Sequence, residues 1–113
     1  MFKFPEPITL LPEADIPIEG CTANLSQTDT HQILFMQFEK DVNLPLHSHA
    51  AQWGVVFAGR IEMTIDGITR MYTAGENYFI PAGVEHHGRI FAGYADMTYF
   101  DQVDRYGIKD VGR

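Results

Sequence analysis

Apolar and polar residues alternate along most of this chain with a period of two, and the alternation is broken every few residues by glycine, proline or aspartate. The clearest run is Ile61, Glu62, Met63, Thr64 and Ile65, the signature of a strand with one buried face. Asp66-Gly67 follows and leads into Ile68. Both residues tolerate positive φ, so the pair predicts a two-residue type I′ hairpin turn. Further strands are predicted over Ile33 to Phe38, Gln52 to Phe57, Ile68 to Tyr72, Tyr78 to Ile80 and Tyr94 to Phe100. Short strands at this spacing predict an all-β sandwich or barrel. Only Asp101 to Arg113 is open to a helical turn, and no internal repeat is present. Pro5, Pro7, Pro12 and Pro17 make residues 1–20 an expected extended arm, because each fixes its own φ and removes a ladder donor. Residues 21–113 then form a single domain.

Composition narrows the function. A chain of 113 residues with 45% hydrophobic positions supports one modest core. Its net charge of −7 and eight scattered basic residues argue against a nucleic acid partner, which requires clustered Lys and Arg. No apolar run is long enough to span a bilayer, and Met1 to Leu11 does not resemble a signal peptide, so a cytoplasmic location is expected. Cys21 is the single cysteine, which excludes an internal disulfide. It reads as a small buried or partly buried residue, not as a nucleophile.

The chemistry concentrates in histidine. His47 and His49 stand two apart, so in an extended segment they face the same side. His86 adds a third imidazole, and three such ligands leave positions on an ion open to a substrate or water. His87 should point away from its neighbour. His31 reads as structural, and Trp53 as packed on the face opposite Gln52.

At these positions the chain resembles the cupin superfamily. Leu44 to Gly59 is similar to the first cupin motif, with His47-Ser48-His49 as its HxH. Gly75 to His86, GENYFIPAGVEH, matches the second at every fixed position. The resemblance implies a jelly-roll β-barrel over roughly residues 30 to 100, with a metal at its centre held by His47, His49 and His86. Gln52 stands where most cupins carry a glutamate, after a loop shorter than the family's, and Ile90 replaces the asparagine that usually ends the second motif. Gln52 is either a neutral fourth ligand through its amide oxygen or a hydrogen-bonded residue beside a three-histidine site.

The His, His, Gln, His set most resembles the small cupins that isomerise unsaturated monouronates. That resemblance implies Asp101 as the proton-moving residue and Arg105 as the clamp on a substrate carboxylate, although their spacing is shorter than the family's. Their bland alternative is a surface ion pair. Two other readings stand beside the isomerase: an Fe(II)-dependent three-histidine dioxygenase and a non-catalytic small-molecule-binding cupin. Histidine and amide ligands suit Zn, Ni, Mn, Fe or Cu. The expected partners are a small-molecule substrate and a second copy of the chain, a homodimer whose open strand edges are covered by the arm.

Overall fold

The computed structural model describes residues 2–110. Met1 of the arm and residues 111–113 of the expected C-terminal turn lie outside the described residues. The chain runs through a single helical turn, α1 (Glu6–Thr9), and then β1 (Cys21–Gln27), β2 (Gln32–Phe38), β3 (Val42–His47), β4 (Gln52–Ala58), β5 (Arg60–Ile65), β6 (Ile68–Thr73), β7 (Asn77–Ile80), β8 (His86–Ile90) and β9 (Tyr94–Phe100). The strands form a five-stranded sheet ordered β1-β2-β9-β4-β7 and a four-stranded sheet ordered β3-β8-β5-β6, with every pair antiparallel. This is the jelly-roll barrel that the alternation and the motifs predicted.

The side chains facing inward follow the period of two. On β2 they are Leu34, Met36 and Phe38; on β9, Tyr94, Asp96, Thr98 and Phe100; on β5, Ile61 and Met63. The β5–β6 hairpin closes as predicted, with Asp66 at φ 50° and Gly67 at φ 77°. Gly59, between β4 and β5, has φ 69° and passes so close to β9 that a Cβ would lie 2.8 Å from Tyr94 Cα. No other residue fits there without moving the backbone.

Two expectations are corrected. The arm is not extended throughout, because Glu6–Thr9 turns once, with Pro7 in the first turn where its missing N–H removes no helical bond. Of the two placements open to the arm, along an edge or across a partner subunit, its described part takes the first. Phe4 is buried against Phe35 and Phe57, Asn24 Nδ2 donates to the carbonyls of Thr9 and Leu11, and the Ala14 N–H donates to the Ala23 carbonyl. The arm therefore covers the β1 edge of its own sheet. At the other end, residues 101–110 form bends and one bridge, Ala14 to Ile108, with no helical turn.

Candidate metal centre

Three short stretches bring the histidines together. β3 is an edge strand, and its pairing with β8 shifts between Leu44 and His47, where Pro45 lacks the N–H that a regular ladder needs. Beyond this bulge His47 pairs with His86 across the sheet. β3 ends at His47, so His49 is carried by the loop that follows, not by the strand. Its carbonyl accepts the Gly83 N–H at 2.9 Å, a bond that ties the first histidine motif to the second. The ring centroids lie 4.2 Å apart for His47 and His86, 4.8 Å for His49 and His86, and 5.3 Å for His47 and His49. One donor atom from each falls within 4.8 Å of the others.

Backbone carbonyls orient all three rings. Nδ1 of His47 lies 2.6 Å from the Pro45 oxygen, Nδ1 of His49 lies 2.7 Å from the Ala50 oxygen, and Nδ1 of His86 lies 2.9 Å from the Val84 oxygen. A carbonyl can only accept, so each Nδ1 carries a proton, which in a neutral ring leaves the lone pair on Nε2. The Nε2 atoms of His49 and His86 are 3.1 Å apart. Two facing lone pairs at that distance repel unless a cation lies between them. Two nitrogens on a tetrahedral ion at about 2.05 Å are roughly 3.3 Å apart, so the spacing fits a transition metal. Burial drives the His49 pKa down from 6.5 to about 4 against the opposing pull of the Ala50 carbonyl, with the positive charge of Arg105 adding to the fall. Burial lowers His86 as well, again against its carbonyl partner. Both rings are thus neutral and ready to bind a metal near pH 7.

Gln52 is buried at the start of β4, opposite Phe100 on β9. It lines the same cavity as the histidines, and its Nε2 donates to the Tyr78 hydroxyl at 3.3 Å. That bond engages the amide nitrogen and leaves the carbonyl oxygen open to another partner. Tyr78 occupies this place because Gly54 has no side chain: a Cβ on Gly54 would lie 2.4 Å from the tyrosine ring. Gly54 carries no motif, which is why its part in setting Gln52 is not visible in the sequence.

The cavity below the histidines holds about 560 Å³. Arg105 lines it, with its guanidinium 4.5 Å from the Tyr106 ring centre and 5.7 Å from that of Phe100. Its Nε is buried without a hydrogen-bond partner. Asp101 does not line the cavity. Even-numbered residues of β9 face inward, so Asp101 follows Phe100 with the opposite parity and its side chain is exposed. The buried carboxyl that faces the cavity is Asp96, which is 3% exposed, while Asp104, also in the lining, is exposed. Its Oδ2 accepts the Tyr94 hydroxyl at 2.6 Å, and burial raises its pKa to about 7. The strand period applied to YADMTYF separates Asp96 from Asp101, a signal available in the sequence but not used.

The remaining candidates fall outside the centre. His87 is exposed on β8, His31 stacks on Tyr99 and bonds to Thr28 and Thr30, and Trp53 lies on the outer face with Nε1 donating to Asn77. Cys21 is partly buried, with its thiol pushed up to about 12 by desolvation, as expected of an unreactive residue. Among the described residues no helix is long and apolar enough to cross a membrane.

Comparison with solved structures supports the architecture. An RmlC-like cupin from Shewanella frigidimarina is 22% identical, with a TM-score of 0.74 and 92% of each chain covered. KdgF from Halomonas sp. is 17% identical, with a TM-score of 0.68 over 80% of this chain and 87% of that one. Salicylate 1,2-dioxygenase from Pseudoaminobacter salicylatoxidans is 14% identical, with a TM-score of 0.66, and 76% of this chain covers 26% of that one. These likenesses show the fold. No curated protein matches the sequence. The cupin domain family matches residues 34–101, from within β2 through both histidine motifs to just past β9, and the chain belongs to that family.

Proposed function

We propose that this protein is a metal-dependent enzyme acting on a small organic acid. His47, His49 and His86 would hold a divalent transition ion, with Gln52 as a neutral fourth ligand and Arg105 as the clamp on the substrate carboxylate. The observation that carries this reading is the orientation of the rings, with each Nδ1 on a backbone carbonyl and the Nε2 atoms of His49 and His86 3.1 Å apart above a cavity. A bound ion supplies Lewis acidity at a substrate oxygen, stronger with four neutral ligands than with a carboxylate among them. Arg105 presents a guanidinium with one N–H unpaired, so a carboxylate reaching it gains charge-assisted bonds without displacing a partner. Phe100 and Tyr106 hold that guanidinium in place.

The isomerase-like reading names an unsaturated uronate as the first substrate to test. It assigns the proton to Asp101, whose exposed position limits that role to a substrate extending past the cavity rim. Oxygen-dependent cleavage of an aromatic or keto acid is the second reading, favoured by the apolar walls at Met36, Phe38, Ile61, Met63 and Ile90. The deciding experiment is turnover of both substrate classes by metal-loaded protein, with and without oxygen. Isomerisation should proceed anaerobically, and Arg105→Ala should slow it at least tenfold, about 1.4 kcal/mol, with the metal retained. A requirement for Fe(II) and oxygen would select the second reading. Small acids that bind without reacting would make this a metal-containing binding protein.

A further inference from the structure

The cavity carries polar groups at two levels among otherwise apolar walls, and the Tyr78 hydroxyl, which accepts from Gln52, lies between those levels beside Thr98. One level is the mouth, with the imidazoles, Gln52 and Arg105. The other is on β9, where Asp96 and Thr98 face the interior at 3% and 1% exposure. Phe100 marks the level of the mouth, since it pairs with Gln52 and its ring centre is 5.4 Å from that of His49. At about 3.3 Å of rise per residue, Asp96 stands roughly 13 Å further down the strand.

Two buried polar atoms at this deep end lack hydrogen-bond partners: Asp96 Oδ1 and Thr98 Oγ1. They lie close enough to influence each other's protons, but no hydrogen bond of good geometry joins them. Native proteins leave few such atoms unpaired, and those that face a cavity are natural ligand contacts. The other Asp96 oxygen is engaged by the Tyr94 hydroxyl, which fixes the carboxyl plane and leaves Oδ1 as the free acceptor of the ionised form. Thr98 offers one O–H to donate and its oxygen to accept.

We propose that the deep end of the cavity is a subsite for a hydroxyl group at the end of the ligand remote from the metal. The ligand O–H donates to Asp96 Oδ1 and its oxygen accepts from Thr98 Oγ1. The adjoining carbon frame packs on the apolar walls, which disfavour a frame carrying hydroxyls along its length. A ligand carboxylate at this end would meet a like charge and no cation. An ammonium would exchange water for methionine and isoleucine side chains with one carboxyl as compensation. A neutral hydroxyl matches one acceptor and one donor at little desolvation cost. The subsite extends the small-acid reading above, but the metal and Arg105 take no part in it.

Phenol and toluene probe it directly, being matched in size and lacking an acid group. Titrated calorimetrically into the full-length protein at pH 8, where the Asp96 carboxyl is ionised, phenol should bind about tenfold more tightly than toluene, the discrimination expected from the net gain of a hydrogen bond. Thr98→Val, close to isosteric, and Asp96→Ala should each bring the two within about twofold. Should Asp96→Ala fail to fold, phenol-induced NMR shifts at the Asp96 and Thr98 amides of the wild type supply the second readout, with small shifts in the His47–His49 loop. Equal binding of phenol and toluene, no phenol binding up to its solubility, or a preference unaffected by Thr98→Val would overturn the proposal. Para-hydroxybenzoate tests the small-acid reading separately. A gain over phenol that Arg105→Ala abolishes supports the carboxylate clamp, and its absence would count against the clamp while leaving the phenol result intact.

Discussion

Replacing Asp96 with Asn should remove part of the protein's dependence of stability on pH. Asn keeps the shape of the side chain and an oxygen for the Tyr94 hydroxyl, but it cannot ionise. In the wild type, burial lifts the Asp96 pKa from 3.8 to about 7. Below pH 3.8 both folded and unfolded chains hold this proton. Between 3.8 and 7 the folded chain holds a proton that the unfolded chain has released, so stability falls as pH rises. Above 7 the loss is complete. A shift of about three units corresponds to roughly 4 kcal/mol, an upper bound because solvent entering the cavity would soften it. His49 acts in the opposite direction, since its pKa falls from 6.5 to about 4 on folding and stability rises with pH across that window. Subtracting the variant from the wild type removes the His49 contribution, because both chains carry it. Urea unfolding of metal-free protein from pH 4 to 8 should show Asp96→Asn gaining on the wild type by up to about 4 kcal/mol across the range. The variant should begin below or level with the wild type, because its amide N–H is left unpaired where the acid was neutral. A difference that stays flat with pH, within the error of the extrapolation, would refute the buried, unpaired carboxyl.

Three further outcomes test the parts around the centre. Gly54→Ala should displace the Tyr78 ring, lower stability by about 1–3 kcal/mol in thermal unfolding and weaken metal binding through Gln52. Gln52→Glu should tighten metal binding by adding a charge while lowering Lewis acidity, and Gln52→Ala should weaken it; unchanged affinity in both would show that Gln52 is not a ligand. Deleting the first twelve residues should lower the midpoint of unfolding, because the arm packs on β1 of its own chain. The expected homodimer would then use another surface, and Trp53, Phe57 and Phe79 are exposed on the outer face of the five-stranded sheet. A shift to monomer on deletion, seen by sedimentation, would return the arm to the interface.

The legibility of this fold varied with how strictly each strand obeys a period of two. β2, β4, β5, β6, β7 and β9 are visible because one face is apolar or the run is β-branched and aromatic. β1, β3 and β8 are not, for separate reasons. CTANLSQ buries the polar Asn24, which serves the arm; VNLPLH contains a proline at a bulge; and HHGRI is short, with Gly88 passing close to the Glu62 carbonyl. The arm's helical turn is equally hidden, since Pro7 signals extension except in a first turn. His47, His49 and His86 were legible because the two motifs fix both residue type and spacing. Asp96 and Gly54 were not singled out, since Gly54 acts through Tyr78 on another strand and the cavity that makes Asp96 matter is formed by strands distant in sequence. Arg105 reached the cavity and Asp101 did not, although one stretch of sequence offered both.

Metal content measured in protein purified without added metal, beside His86→Ala prepared the same way, bears most directly on the metal centre. The wild type should carry, or take up on titration, about one divalent transition ion per chain. His86→Ala should retain a small fraction of that amount while its β-sheet circular dichroism stays intact, since the barrel has a core of its own in Leu25, Leu34, Val56, Ile61 and Ile80. Wild type that binds no such ion, or a His86→Ala protein that binds one as fully as wild type, would contradict the assignment of these three histidines.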